Sequence, residues 1–188
     1  MIKNPKQRKV AGASPAGSTG VFMSSIDILI EMPKGESRRI HLDRMGDEGW
    51  IDLGPVKKII PINDGIIPIA YGFIMGTKMK EKGSTMEEEL DALVYSNKAF
   101  QIGEVVRARP IALLTLENGD DKVVCVDYNI PIIGFNQIPE KDLILKYFGY
   151  KSKITRIGTA GDAEKLISVY KTDDPLPVPK EVKLKRIA

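Results

Sequence analysis

The feature that most constrains the fold is a succession of short segments with strand character. In "IDILIEMP" and "SRRIHLD" apolar residues alternate with polar ones, as in a half-buried strand. Further segments of this kind follow: "GWIDLG", "VKKIIPI", "PIAYGFI", "LDALVYS", "GEVVRARPIALLTLE" and "KVVCVDY". The turn-forming stretch "NGDD" precedes the last of them, whereas "MGTKMKEKGSTMEEE" is aperiodic and charged and predicts a surface loop. So many short strands in succession predict an antiparallel barrel.

The last third of the chain changes to helical spacing. In "PEKDLILKYFGYK", Pro139 suits a first turn, Gly149 can end a helix, and one face carries Leu143, Ile144, Tyr147 and Phe148. In "GDAEKLISVY", Asp162 is a candidate N-cap, and one face carries Ala163, Leu166, Ile167 and Tyr170. The predicted fold class is therefore mainly β (α+β), a barrel with two C-terminal helices packed on it.

Length and composition bound the domain organisation. A chain of 188 residues with 43% hydrophobic residues supports one substantial core. We expect a flexible basic tail over residues 1–20, a single barrel domain over 21–172, and an extended tail rich in Pro and Lys over 173–188. The net charge is +3, and both ends are basic, so either tail could contact nucleic acid.

Several classes of protein are disfavoured by particular residues. Cys125 is the single cysteine and His41 the single histidine, which excludes an intrachain disulfide and disfavours a zinc site. The N-terminus lacks the apolar segment of a signal peptide, and no uncharged apolar run is long enough to span a bilayer. We therefore expect a cytoplasmic protein without a membrane partner.

Carboxylates alternate along the predicted barrel with cationic and phenolic side chains. The series in chain order is Glu31, Arg39, Tyr71, Asp91, Asp120, Lys122, Tyr150 and Lys151. Mg²⁺ takes oxygen ligands, and Lys, Arg and Tyr bind phosphate oxygens, so this mixture suits a polyphosphate held with divalent metal ions. In "MEEELD", residues 86–91, the repulsion between carboxylates has to be relieved by water, by basic neighbours or by bound cations. A solvated loop and a metal site both remain open for this segment.

Six motifs in order carry a resemblance to a known family. They are "IEMPKGESRRIHLD", "PIAYGFI", "LDALV", "GEVVRARPIALL", "GDDKVV" and "YFGYK", and together they span about residues 26–151. The chain resembles the soluble family I inorganic pyrophosphatases. The resemblance implies a five-stranded OB-like barrel with flanking helices, several Mg²⁺ ions, hydrolysis of pyrophosphate to two phosphates, and a homo-oligomer.

The resemblance also implies site residues. Glu31, Asp91 and Asp120 match acidic metal-binding positions, and Tyr71 matches a site tyrosine. The positions that match phosphate-contacting residues are Lys122, Tyr150 and Lys151, together with Arg39, which stands where the family usually has a lysine.

The chain departs from the family in its acidic loop, which is usually D-G-D-P-x-D. Counting back from Asp91 puts Glu88 at the catalytic base and Met86 at the first acid, whereas counting forward from "YGFI" puts Glu81 at the first acid. Glu117 is the candidate for the first acid before "NGDD". Three further departures are His41 for a glutamate, Ile67 for a tyrosine, and Leu53 for an arginine that Lys57 or Lys58 would have to replace.

Three functional hypotheses follow. The first is a Mg²⁺-dependent pyrophosphate hydrolase, slower than typical relatives, with Glu88 and Asp91 as its catalytic residues. The second is a pyrophosphatase-like subunit that has lost hydrolysis, or a binder of another phosphorylated ligand. The third, a nucleic-acid binder, ranks last because aromatic residues make up only 6% of the chain.

Overall fold

The architecture is that of a closed β-barrel flanked by two helices and a small second sheet. A computed structural model describes residues 25–44, 49–80 and 86–186, so the predicted tail over 1–20 lies outside the described residues. The strands are β1 (Ile26–Met32), β2 (Arg38–Leu42), β3 (Trp50–Pro55), β4 (Ala70–Ile74), β5 (Met79–Lys80), β6 (Glu87–Glu88), β7 (Asp91–Tyr95), β8 (Val105–Leu116), β9 (Lys122–Asp127), β10 (Ile154–Thr159) and β11 (Leu184–Arg186). The helices are α1 (Lys141–Phe148) and α2 (Ala160–Tyr170).

Five of the described strands close the barrel. Their order is β1-β4-β7-β9-β8, and β8 pairs back onto β1. The predicted five-stranded barrel is thereby confirmed. Four of its pairings are antiparallel, whereas β7 and β9 run parallel. This parallel pair places the first residues of β7 and β9, Asp91 and Lys122, side by side.

Alternation along the strands divides the apolar side chains between two sides of the barrel wall. Ala92 and Val94 of β7 pack with Val123 and Cys125 of β9 in a cluster that draws on all five barrel strands and therefore fills the interior. The intervening Leu93 packs outside the barrel in a cluster that includes Ile144 of α1. Burial raises the pKa of the Cys125 thiol, which makes it unreactive at neutral pH.

The helix predictions hold with one correction at a terminus. Helix α1 ends at Gly149, as predicted, and Ile144 and Tyr147 are its buried residues. The N-cap of α2 is Thr159, and the predicted cap Asp162 is instead the third helical residue of a capping box, where its carboxylate accepts from the Thr159 N–H at 2.7 Å. None of the described helices is long and apolar enough to cross a membrane.

Two segments differ from the strand and loop predictions. "VKKIIPI" forms a 3₁₀ turn over Val56–Lys58, with Ile59 and Ile60 N–H groups bonded to the Val56 carbonyl; Pro61, which lacks an N–H, limits any strand ladder there. The predicted surface loop contains strands β5 and β6, which pair as a short hairpin on either side of residues 81–85.

A second sheet lies beside the barrel and includes the end of the described chain. Strand β3 pairs with β2 on one side and, in parallel, with β11 on the other. Trp50 of β3, which is 1% exposed, packs in the cluster that joins this sheet to Leu29 and Phe73 of the barrel. The sheet therefore holds β2, with Arg39 and His41, against the barrel wall.

Candidate active site

A cleft of about 730 Å³ lies between β2 and the barrel strands β4 and β7. Most of the predicted site residues line it: Glu31, Arg39, Tyr71, Glu88, Asp91 and Asp120. A neighbouring cavity of about 280 Å³ shares Arg39, His41, Tyr71 and Asp120 with the cleft and adds Lys122 and Lys151. The structure therefore gathers eight of the predicted residues around two connected hollows.

An ion-paired triad forms one side of the cleft. Lys122 begins β9 and is 5% exposed, and its Nζ donates to the carboxylates of both Asp91 and Asp120. Burial raises the pKa of Asp91 to about 6, although the Lys122 ammonium opposes this shift. Burial alone would lower the pKa of Lys122, but the two carboxylates raise it above its usual value. At neutral pH Lys122 is therefore a fixed positive charge.

Tyr71 of β4 joins this triad to the rest of the cleft. Burial, followed by the charges of Asp91 and Glu31, raises its pKa well above the usual value, and its hydroxyl hydrogen-bonds with Asp91. Its ring lies 6.0 Å from the Lys122 Nζ and makes an edge contact with His41 at 5.8 Å between centroids. The phenol is thus a hydrogen-bond donor that stays protonated.

Glu31 of β1 is held in the cleft by contacts with β2. The side chain is 5% exposed, its Oε1 accepts from the Leu42 N–H at 2.7 Å, and its Oε2 lies 3.3 Å from His41 Nδ1. His41, whose side chain is 25% exposed, therefore lies at the mouth of the cleft.

The three consecutive glutamates occupy different environments. Glu87 is exposed and lies 3.4 Å from Lys78, whereas Glu88 is exposed and lines the cleft. Glu89 is 8% exposed and is paired with Arg44, with 3.2 Å between Glu89 Oε2 and Arg44 Nε. Burial raises the pKa of Glu89 to about 7 against the opposing charge of Arg44.

Glu89 and Arg44 were missed by the sequence prediction as individual site residues. The spacing of two between Glu89 and Asp91 could have indicated a shared face, because alternate residues of an extended chain point to the same side. Nothing local marked Arg44, which lines the cleft with Leu53 and lies 5.3 Å over the Phe73 ring. Lys57 is ion-paired with Asp64, and neither Lys57 nor Lys58 lines the cleft or the neighbouring cavity.

Three predicted residues are not brought into these hollows. Tyr150 is 50% exposed and lines a separate surface groove. Glu117 is exposed, and its backbone N–H donates to the Lys153 carbonyl. Glu81 lies outside the described residues.

The carboxylates of Asp91 and Asp120 are the oxygen donors that could hold a metal ion in this cleft. Within residues 25–44, 49–80 and 86–186 no three His, Cys, Asp or Glu side chains form a metal-binding group. Asp91 and Asp120 nevertheless converge on one cationic atom, Lys122 Nζ. Mg²⁺ is commonly held by one or two carboxylates with waters and substrate phosphates, so this pair of oxygen donors fits it.

Basic side chains relieve the repulsion in the acidic segment. Lys122 faces Asp91 and Asp120, Arg44 faces Glu89, and Lys78 lies near Glu87. The solvated-loop interpretation therefore describes Glu87 better than it describes Glu89 or Asp91.

Comparison with known proteins points to one family. A sequence model described as "Inorganic pyrophosphatase" matches residues 28–173. An inorganic pyrophosphatase of Sulfolobus acidocaldarius is 31% identical over 163 residues, which cover 77% of this chain and 88% of the relative. One from Gluconobacter oxydans is 32% identical over 109 residues, and the match spans 56% of this chain and 57% of that relative's length.

Solved structures show the same fold. The inorganic pyrophosphatase of Ehrlichia chaffeensis superposes with a TM-score of 0.65 at 22% identity, covering 78% of this chain and 92% of that one. The Neisseria gonorrhoeae inorganic pyrophosphatase gives a TM-score of 0.60 at 25% identity, and the match covers 78% of this chain and 88% of that one.

Proposed function

The chain belongs to the inorganic pyrophosphatase family, and on that premise we propose that it hydrolyses inorganic pyrophosphate to two phosphates in a Mg²⁺-dependent reaction. The observation that carries the proposal is the convergence of Asp91 and Asp120 on Lys122 beside a cleft that Arg39 and Tyr71 also line. Carboxylate oxygens can bind metal ions, and fixed positive charges can bind phosphate. A cleft that has both suits pyrophosphate together with its metal ions.

Binding of the substrate is assigned to the cationic and phenolic groups. Lys122 is buried and charged and supplies a fixed positive charge, whereas the guanidinium of Arg39 can donate two parallel hydrogen bonds to one phosphate. Lys151 extends the positive charge into the neighbouring cavity. Tyr71 orients the Asp91 carboxylate by its hydrogen bond and, because it stays protonated, does not act as a base. Tyr150 remains a predicted phosphate contact.

The metal would be held by Asp91, Asp120 and Glu31, and Glu88 is a further candidate ligand that lines the cleft. Glu117 does not line the cleft, and Glu81 stays a prediction from the sequence. When bound, Mg²⁺ stabilises negative charge on phosphate oxygens and makes water more acidic. The chain's own residues position the phosphates, neutralise their charge and exclude bulk water from the buried side of the cleft.

Proton transfer is assigned to Glu88. It lines the cleft and is exposed, so its carboxylate can accept the proton of an attacking water. Glutamate is one methylene longer than the aspartate usual in the family and holds its carboxylate less firmly. We therefore propose a slower reaction than in typical relatives.

A second candidate function is favoured by the ion pairs. Asp91 and Asp120 share the Lys122 ammonium and Glu89 faces Arg44, so protein cations already contact these three carboxylates without a metal. Such a site could bind a phosphorylated ligand without hydrolysing it.

Phosphate release separates the two candidates. It should be measured from pyrophosphate with and without Mg²⁺ for the unaltered chain, for Asp91→Asn, and for Asp142→Asn as a matched control on the exposed side of α1. We expect Mg²⁺-dependent release that falls at least 100-fold in D91N and is retained in D142N. Absence of release at high protein concentration would reject hydrolysis, and calorimetric binding of pyrophosphate by that protein would support the second candidate.

We also propose a cytoplasmic location and a homo-oligomeric state. The exposed apolar side chains of Ile133 and Ile157 support the homo-oligomeric state. Sedimentation of the purified chain tests the oligomeric state.

A further inference from the structure

The cavity beside the cleft has an apolar wall that pyrophosphate alone would not use. We name this wall the apolar annex, and it consists of Met32, Val56, Ile59, Ile60, Ile67 and Phe148. Ile59, Ile60 and Phe148 are only partly buried, so part of the wall is exposed to the cavity and solvent. An exposed apolar wall next to charged groups is typical of a site for an amphipathic ligand.

The other side of the same cavity is cationic. Arg39, Lys122 and Lys151 line it together, and the shared residues Arg39 and Tyr71 connect it to the cleft. A phosphate held by these side chains would therefore lie beside the apolar annex. The charges favour an anion at one end of the ligand, and the annex favours an uncharged group at the other.

The buried hydroxyl of Tyr147 independently indicates a ligand-binding site in this cavity. It lines the cavity and is 1% exposed, and its hydroxyl has no hydrogen-bond partner among the described residues. Burial raises the pKa of Tyr147 to about 12, so the hydroxyl remains a donor at neutral pH. Buried hydroxyls normally have a partner, which indicates a ligand or water acceptor here.

The size of the cavity limits the ligand. A volume of about 280 Å³ corresponds to about nine water molecules at liquid density and lies just below the range of pockets for drug-sized ligands. One aromatic ring or a branched five-carbon chain is therefore the appropriate scale.

From these observations we infer that the annex binds the organic group of a small organic diphosphate whose phosphates occupy the adjoining cleft. The inference rests on the proposed hydrolytic function and extends its substrate class. In the reaction, water oxygen bonds to the terminal phosphorus, the bond from that phosphorus to the bridging oxygen breaks, and one proton of the water is released. The products are phosphate and the organic monophosphate.

Phenyl diphosphate is the probe for this subsite, compared with inorganic pyrophosphate under identical conditions. We expect the chain to hydrolyse both. Ile60→Asp places a charge in the annex and should lower the ratio of kcat/KM for phenyl diphosphate to that for pyrophosphate at least 10-fold. The control Val169→Asp, at an apolar side chain of α2 that is 73% exposed and does not line the cavity, should leave this ratio unchanged.

A binding measurement keeps the inference testable if a variant misfolds. By calorimetry, phenyl methylenediphosphonate should bind the unaltered chain at least 10-fold more tightly than methylenediphosphonate. The inference would be wrong if the chain hydrolysed pyrophosphate but not phenyl diphosphate and bound the two diphosphonates with equal affinity. The proposed function would then still hold. An unchanged ratio in folded I60D would also overturn the inference. If neither substrate is hydrolysed, the proposed function fails. The difference in affinity between the two diphosphonates then decides whether the annex binds an organic group.

Discussion

Neighbouring carboxylates in the acidic segment have opposite environments, because a residue at one end of a short strand can face solvent while the next enters the protein. Glu88 is exposed at the cleft, whereas Glu89 is 8% exposed and paired with Arg44. The carboxylate in the first position can therefore act on a ligand, whereas the carboxyl group in the second position is the partner of a largely buried guanidinium.

The variants Glu88→Gln and Glu89→Gln should separate these two roles. E88Q removes the assigned proton acceptor and should lower kcat about 100-fold. E89Q leaves the 10%-exposed Arg44 side chain without its counter-charge and should cost about 1–3 kcal/mol of stability. Urea denaturation and steady-state kinetics on both variants provide the measurement. A stable E88Q with full kcat would remove Glu88 from the mechanism.

The sequence could predict those site residues that lie in recognisable motifs. Asp91, Asp120 and Lys122 were anticipated because they lie in "LDALV" and "GDDKVV", two of the motifs that carry the resemblance. The parallel pairing of β7 and β9, which brings them side by side, was not predicted. Arg44 could not be anticipated, because its contacts with Glu89 and with the Pro177 carbonyl join segments far apart in the chain. Such contacts are decided by tertiary packing and leave no local pattern.

At the scale of elements, the strands that the sequence predicted are those with a clear alternation or an apolar run. Strand β10, "ITRIGT", was missed because its exposed residues include Ile157 and its pattern lacks the usual separation of faces. Strand pairing explains why residue 72 in "YGFI" is glycine: a Cβ on Gly72 would lie 1.9 Å from the Leu29 carbonyl oxygen. Strand β4 could be predicted from the sequence. The close approach of the Leu29 carbonyl, which leaves no room for a side chain at residue 72, could not.

Asp52 joins the three strands of the second sheet, and this linkage should depend on pH. Its carboxylate, 3% exposed, accepts from Arg38 Nε of β2 at 2.5 Å and lies 3.9 Å from Arg186 Nε of β11. The hydrogen bond from Arg38 lowers the pKa of Asp52. A pKa that is lower in the folded state gives stability above the unfolded value of 3.8, and this stability is lost as the pH falls through the folded value.

We therefore expect Asp52→Asn to destabilise the protein at pH 7 by about 1–3 kcal/mol, less than loss of a fully buried pair because Arg38 is 40% exposed. The difference between D52N and the unaltered chain should shrink as the pH falls below about 4. Denaturant unfolding at pH 7 and at pH 3 measures it, with the exposed Asp142→Asn as control. A difference that is equal at both pH values would contradict the role assigned to the Asp52 charge.

At the scale of the whole molecule, one apolar barrel interior supports a cleft in which carboxylates outnumber the arginine and lysine side chains. The interior cluster includes Ala92 and Val123, the residues that follow Asp91 and Lys122, so packing fixes the strand ends that carry the site. A cation that binds Asp91 and Asp120 must displace or compensate the Lys122 ammonium, which then becomes available to phosphate. Metal and substrate binding should consequently favour each other.

Mg²⁺ should therefore stabilise the folded protein even without substrate. A ligand at 100 times its dissociation constant that binds only the folded state adds about 2.7 kcal/mol, which corresponds to a rise in Tm of about 5–10 °C for a chain of this size. The double variant Asp91→Asn/Asp120→Asn should lose this rise, because it removes both oxygen donors that converge on Lys122, whereas D142N should retain it. Thermal denaturation with added Mg²⁺ or with a chelator measures the shift independently of catalysis. An equal rise in the double variant would place the bound metal away from Asp91 and Asp120, and the ion pairs with Lys122 would then be structural.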